Sequence, residues 1–124
     1  MMSNNESNEI RWEVANPQGR PVILKQSTYE NHIISDHRPE DAAFRLKIEL
    51  QAQKAISNPQ FIIAKEKRHE YHRIVRVPFE ENKEKLKHMK VIVDADRDPN
   101  EVVTFIAPSN LRCTLETGSV IYEN

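Results

Sequence analysis

Short runs of alternating apolar and polar residues predict β-strands along most of the chain. Two such runs, residues 10–14 and 22–25, are joined by an Asn-Pro-Gln-Gly segment, which predicts a hairpin turn. Four more runs follow a helical stretch, at residues 61–65, 71–77, 89–93 and 102–107. The polar residues 94–100 are predicted to form the loop between the last two of these strands. Residues 111–122 fit either an edge strand or a tail that covers the helices.

Helical spacing and helix end signals predict two helices between the second and third strands. Ser27 and Glu30 have the spacing of a capping box, so the first helix is expected to begin at Ser27 and to run to His37, just before Pro39. The second helix is predicted for residues 40–58 and ends at an Asn-Pro pair. Its apolar face is predicted to consist of Phe44, Ile48, Ala52 and Ala55.

Helices followed by consecutive strands are typical of an α+β fold. The predicted architecture is an N-terminal strand or hairpin and two helices packed on an antiparallel sheet of four or more strands. The 124 residues suffice for one domain with its own core. We expect a disordered N-terminal tail at residues 1–9, a single domain at residues 10–111, and a C-terminal tail or edge strand at residues 112–124.

Cysteine content and hydropathy indicate the compartment. Cys113 is the single cysteine, so an internal disulfide is excluded and a reducing, cytoplasmic environment is expected. No apolar run approaches the roughly 20 residues of a membrane span, and the N-terminal residues do not resemble a signal peptide. The sequence therefore predicts a soluble cytoplasmic protein without a membrane partner.

The charge distribution is uneven although the net charge is only −1. Five cations fall within twelve residues, namely Lys65, Lys67, Arg68, Arg73 and Arg76. Such a basic stretch is compatible with phosphate binding, but a solvated face of a strand has the same pattern.

Two histidines and an aspartate on the first helix are candidates for acid–base chemistry. His32 and Asp36 are four residues apart and therefore neighbours on a helix, where the carboxylate would fix the tautomer of the imidazole and raise its basicity. His37 follows at the helix end. Two other interpretations stay open. The histidines could be ordinary surface or helix-terminal residues, or the three side chains could serve a metal-dependent hydrolase.

Two segments resemble metal motifs but lack essential features. The His69-Glu70-Tyr71-His72 segment has its histidines three residues apart in a predicted strand, whereas a zinc-protease helix needs a spacing of four. The alternating aspartates at 94, 96 and 98 would start a calcium loop that needs glycine and an acid where Pro99 and Phe105 stand. No metal or other cofactor is therefore expected.

The order of these features resembles a known family. A strand is followed by a helix with His-Ile-x-x-x-His-x-Pro-Glu and a helix ending in Ile-x-Asn-Pro. Then come Ile62, a basic stretch with Tyr71, a strand at residues 91–93, and Val-Val-Thr-x-Ile at the end of the sheet. Over residues 22–111 this resembles the phage-type branch of the barnase–EndoU–colicin–RelE superfamily of metal-independent ribonucleases, whose members often act as toxins or effectors.

The resemblance implies a set of site residues. His32 and His37 match the helical histidines of the family, Tyr71 and Arg73 match its polar strand positions, and Thr104 matches the threonine of its last strand. The chain departs from the family at Arg38, which is inserted between His37 and the Pro-Glu pair.

The implied reaction is RNA cleavage through attack by the ribose 2′-hydroxyl, which needs a base, an acid and a cation. By this resemblance His32 and His37 are the acid–base pair, Arg73 is the electrostatic clamp, and Tyr71 and Thr104 position the substrate. Further contacts to the substrate are expected from Arg76, Lys90, Lys65 and Arg68. RNA is the expected partner, and a protein inhibitor such as an immunity protein or antitoxin is a further candidate. The alternative is a non-catalytic binding or immunity-like module of the same fold.

Overall fold

The computed structural model describes residues 9–34, 49–80, 83–106 and 119–124. For residues 32–34, 77–80, 83–85 and 119 it describes the backbone alone. The predicted N-terminal tail lies outside the described residues apart from Glu9, whose carbonyl accepts a hydrogen bond from the Gln26 amide at 2.8 Å. No helix in the described part of the chain is long and apolar enough to cross a membrane.

Seven strands form one sheet in the order β1-β2-β6-β5-β4-β3-β7. They are β1 (Ile10–Ala15), β2 (Pro21–Lys25), β3 (Phe61–Lys65), β4 (Arg68–Glu80), β5 (Lys83–Asp94), β6 (Asn100–Ile106) and β7 (Ser119–Glu123). Neighbouring strands are antiparallel except for β2 and β6, which are parallel. The predicted α+β class is confirmed, and the sheet has seven strands and is mostly but not entirely antiparallel. Since β7 pairs with β3, the sheet includes residues beyond 111.

The described helical residues are few. Helix α1 (Gln26–Thr28) continues directly as a π-helical segment (Tyr29–Ile34), and residues 49–57 are the described part of helix α2. The predicted capping box is wrong, because Lys25 is the N-cap residue and Ser27 lies inside the first turn. The predicted course of the first helix to His37, and of the second from residue 40, falls outside the described residues.

One face of the sheet carries the hydrophobic core. Alternation along β4 and β5 turns Tyr71, Val75, Met89 and Val91 to this face, where all are buried. Tyr29 and the α2 residues Ala52, Ala55 and Ile56 belong to the same buried cluster. Fully burying an aliphatic or aromatic side chain contributes about 1.5–3 kcal/mol, so this cluster makes a large favourable contribution to the stability of the fold.

A half-buried ion pair connects β1 to the helices. The Arg11 guanidinium donates two hydrogen bonds to the Glu49 carboxylate, and the Trp12 indole N–H donates a third at 2.8 Å. Arg11 also donates to the side chain of Gln26 and lies over the ring of Tyr29, 3.6 Å from its centroid. These contacts fix the described part of α2 and the π-helical segment against the first strand.

The β1–β2 turn holds a core tyrosine. Gly19 has φ of 81°, a left-handed conformation that costs glycine little. The Asn16 side-chain oxygen accepts hydrogen bonds from the amides of Gln18 and Arg20, at 2.9 and 3.0 Å. Its side-chain nitrogen donates to the Tyr71 hydroxyl at 3.2 Å. The turn thereby satisfies a buried polar group of β4.

A register shift in β6 reverses one predicted orientation. Alternation along residues 102–107 alone predicts that Thr104 shares a face with Val102. In the structure Val93 pairs with Val102 and Ile92 pairs with Thr104, so one extra residue lies in β6 at this point. Because Val93 faces the core and Ile92 does not, Thr104 lies on the face opposite to Val102.

Candidate functional site

A group of buried polar side chains lies on the face of the sheet opposite to the hydrophobic core. Since Tyr71 and Val75 face the core, Glu70 and His72 point to the other side of β4. His88 of β5 joins them there. The exposed fractions are 5% for Glu70, 0% for His72 and 3% for His88. We call this side of the sheet the polar face.

The three side chains form a continuous hydrogen-bonded chain, which we call the histidine chain (Glu70, His72 and His88). Glu70 Oε1 lies 3.2 Å from His72 Nε2, and His72 Nδ1 lies 2.6 Å from His88 Nε2. The ring of Phe61 stacks on the His72 ring with centroids 4.7 Å apart and an angle of 16° between the planes. Lys65 Nζ lies 2.9 Å from the second oxygen of Glu70. The His72 ring is thus held at both nitrogens and on one side.

The charge of Glu70 fixes the proton positions along the histidine chain. Lys65 keeps Glu70 ionised, so His72 Nε2 must carry the proton that bridges to the carboxylate. The neutral His72 ring then has its lone pair at Nδ1, and His88 Nε2 must donate to it. The lone pair of a neutral His88 consequently resides on Nδ1. The chain therefore orders two tautomers and ends at an acceptor nitrogen.

Burial and neighbouring cations keep both imidazoles neutral. Burial, the nearby His88 and the charge of Lys90 lower the pKa of His72 to about 4, although Glu70 acts in the opposite direction. Burial and the charge of Lys90 also lower the pKa of His88. Burial alone would raise the pKa of Glu70, but Lys65, Lys90 and His72 together lower it. At neutral pH the histidine chain contains one carboxylate and two neutral imidazole rings.

The arrangement is linear and does not converge on one point. Both nitrogens of His72 are engaged, one by Glu70 and one by His88. Within the described ranges, no group of three or more His, Cys, Asp and Glu side chains could hold a metal ion. Hydrogen-bonded carboxylate–imidazole chains are suited instead to proton transfer at the ring nitrogen on their far end.

Cations surround the histidine chain on the polar face. Lys90 pairs with His72 across β4 and β5, and Lys65 pairs with Arg68 across β3 and β4. Arg76 lies four residues beyond His72 in the same strand and is exposed. All four substrate contacts predicted from the sequence, Lys65, Arg68, Arg76 and Lys90, therefore lie on the face that carries the histidine chain. Thr104 lies on this face as well.

Two of the predicted catalytic residues lie on the opposite face and have partners there. Tyr71 is fully buried in the core, and its hydroxyl accepts a hydrogen bond from Asn16. Burial raises the pKa of Tyr71. Arg73 donates to the carbonyl of Asn58, just after α2, at 2.9 Å. In this structure the two side chains connect β4 to a turn and to a helix end.

The predicted helical histidines lie outside the side chains that the structure describes. His32 lies in the π-helical segment, where the structure describes its backbone alone, and both Asp36 and His37 fall in residues 35–48, outside the described residues. Their predicted roles stay predictions.

Sequence reasoning missed Glu70, His72 and His88 as a group. His69-Glu70-Tyr71-His72 was treated as a failed zinc motif, and His88 precedes the strand predicted at residues 89–93. The signal that could have found the group is the register of the β4–β5 hairpin. From Arg68 to Pro78, each residue of β4 pairs with one residue of β5 without a break. That register brings His72 opposite Lys90 and diagonal to His88.

No protein-family model matches the chain, and comparisons with curated proteins and with solved structures found no significant match.

Proposed function

We propose that this domain is a metal-independent endoribonuclease, as the resemblance implies, and that its polar face binds the RNA. The observation that carries the proposal is that the histidine chain and the four predicted phosphate contacts share one face of the sheet. A cationic surface around buried neutral imidazoles suits a phosphodiester substrate, because the phosphate binds to the cations and an imidazole that binding uncovers can exchange a proton.

The division of roles differs from the one taken from the resemblance alone. Lys90, Arg68 and Arg76 bind phosphates in this proposal, and Thr104 of the same face remains a positioning group. Of the acid–base pair that the resemblance implies, one helix histidine, His32 or His37, keeps its proposed role as the acid. Tyr71 and Arg73 support the site through the fold, because each is engaged on the face opposite to the histidine chain.

That engagement of Tyr71 and Arg73 also favours the second candidate, a non-catalytic binding or immunity-like module. Such a module would use the cations of the polar face to bind an acidic or nucleic-acid partner without turnover. It predicts RNA binding without product formation, or no RNA binding at all.

The proposal is tested by incubating a mixed-sequence RNA with the purified chain in excess chelator, beside three variants. Arg68→Gln with Arg76→Gln removes two exposed cations of the polar face. Lys54→Gln with Arg20→Gln is the matched control, since both of these cations are exposed and lie elsewhere. His32→Ala tests the residue taken from the resemblance.

We expect cleavage in chelator that leaves 2′,3′-cyclic phosphate ends. The Arg68/Arg76 double variant should bind RNA more weakly, and the slope of log affinity against log salt should fall by about 1.4, or about 0.7 for each phosphate contact to a single strand. The control pair should leave affinity and slope near the parental values. Salt-dependent binding without any cleavage supports the second candidate, and equal slopes for both double variants contradict the assignment of the polar face.

A further inference from the structure

The far end of the histidine chain is a buried nitrogen that lacks a hydrogen bond. Among the residues that the structure describes, His88 Nδ1 has no hydrogen-bond partner, and His88 is only 3% exposed, so water does not replace that partner. A buried polar atom without a partner costs about 1–3 kcal/mol. Because the other two members of the histidine chain are fully engaged, Nδ1 of His88 is its one atom with an unused lone pair, and a ligand reaches that atom when binding uncovers it.

The tautomer restricts what that ligand can be. His88 Nε2 donates to His72, so His88 Nδ1 of the neutral ring can only accept. The partner must therefore be an O–H or N–H group. Lys90 lies close enough to His88 to lower its pKa. The positive charge of Lys90 disfavours a cationic donor at His88 Nδ1 and favours a ligand that carries a negative charge beside its O–H or N–H group. A ribose 2′-hydroxyl next to a 3′-phosphate has both properties.

We propose that His88 Nδ1 accepts the ribose 2′-hydroxyl of the bound RNA and takes its proton during cleavage. This assignment rests on the proposed endoribonuclease function. The 2′-oxygen attacks phosphorus to form the 2′,3′-cyclic phosphate, the bond from phosphorus to the 5′-oxygen breaks, and the 5′-oxygen leaves with a proton from an acid, a role the resemblance gives to a helix histidine.

His72 and Glu70 are positioning residues in this scheme. When His88 gains a proton at Nδ1 it becomes a cation that still donates from Nε2 to His72, and His72 donates to the Glu70 carboxylate. The chain therefore places a negative charge behind the developing imidazolium and holds its ring in one orientation. Phe61 restrains the His72 ring from one side by stacking.

The first test uses the parent protein and probes that cannot be cleaved. Nitrogen-15 spectra of the imidazoles are recorded alone, with a ribonucleoside 3′-monophosphate, with the 2′-deoxyribonucleoside 3′-monophosphate, and with inorganic phosphate. We expect His88 Nδ1 to be unprotonated, and its resonance to shift only with the ribonucleotide, because that probe alone brings the 2′-hydroxyl. His69, on the opposite face, is the internal control. An equal response to all three probes overturns the proposal. The absence of any response overturns it too, because a bound ribonucleotide must uncover Nδ1 and so change its resonance.

The second test uses kinetics. His88→Gln should reduce kcat about 10²- to 10⁴-fold, the usual contribution of a general base, and His69→Gln should stay within about twofold. Glu70→Gln should lower kcat and displace the acidic limb of the pH–rate profile, and Glu70→Asp should restore part of the rate. Equal loss of kcat in Glu70→Gln and Glu70→Asp with an unchanged pH profile contradicts the positioning role.

Failure of this inference can be told apart from failure of the proposed function. If RNA is cleaved at the parental rate by His88→Gln, the endoribonuclease stands and the role of His88 is wrong. If no RNA is cleaved but the ribonucleotide alone shifts His88 Nδ1, the hydroxyl site stands and the enzyme proposal fails. If His88→Gln does not fold, the spectra of the parent decide the question.

Discussion

The buried His72 makes the stability of this protein depend on pH between about 4 and 6.5. Burial and the adjacent charges lower the pKa of His72 to about 4 in the folded state, whereas the unfolded chain has the ordinary value of 6.5. Between these values the unfolded state binds the additional proton. The free energy of unfolding must therefore fall as the pH decreases through this window, and it should be constant above 6.5 as far as His72 is concerned.

The size of this effect follows from the shift. A difference of about 2.5 units at 1.36 kcal/mol per unit corresponds to roughly 3 kcal/mol, most of which is lost before pH 4.5. His88 acts in the same direction, because burial lowers its pKa too. Glu70, whose folded pKa is lowered, contributes stability that disappears only at still lower pH, where carboxylates become protonated. The window from neutral pH down to about 4.5 therefore isolates the histidines.

The assay is urea unfolding at about half-unit intervals from pH 7.5 to 4.5, for the parent and for His72→Phe. The phenylalanine keeps the stacking on Phe61 and has no titrating group. The free energy of unfolding of this variant should therefore be lower at neutral pH but should change much less with pH. A parental free energy that changes by less than about 0.5 kcal/mol over this range, or parallel curves for the two proteins, would refute the reasoning that His72 is buried and neutral.

Three further substitutions test the fold. Glu49→Gln leaves the Arg11 guanidinium without its carboxylate and should lower the free energy of unfolding in urea by about 2 kcal/mol. A loss below about 0.5 kcal/mol contradicts the stabilising role of this ion pair. Tyr71→Phe removes one hydrogen bond from Asn16 and should cost about 1 kcal/mol, with RNA cleavage at the parental rate; a large loss of kcat at full stability would return Tyr71 to the site. Gly19→Ala should cost about 1 kcal/mol through backbone conformation alone, since open space surrounds the position; an unchanged melting temperature contradicts this.

Much of the sheet could be predicted from local pattern, because alternation and turn residues act over a few positions. The predicted strands at residues 61–65 and 102–107 nearly coincide with β3 and β6, and the polar loop at residues 94–100 joins β5 to β6. The parallel pairing of β2 with β6 depends on contacts about 78 positions apart in the chain, and no local signal reports it. The extra residue in β6 likewise depends on its partner strand.

The candidate site was only partly predictable, for a related reason. Alternation in β4 correctly separates Tyr71 and Arg73 from His72, but it does not tell which set faces the core. Core packing of Tyr71 decides this, and it turns His72 to the polar face. The partner of His72 is His88, and finding it requires the register of a hairpin whose strands extend well beyond the predicted ones.

The most direct test of the central claim compares two substrates of identical sequence, one RNA and one fully 2′-O-methylated RNA, in excess chelator with the parent, His88→Gln and His69→Gln. We predict that the parent and His69→Gln cleave only the unmodified RNA and leave 2′,3′-cyclic phosphate ends. Both should exceed His88→Gln by at least about 100-fold in rate. Cleavage of the methylated RNA, or equal rates for the two histidine variants, would contradict a 2′-hydroxyl reaction driven from the histidine chain.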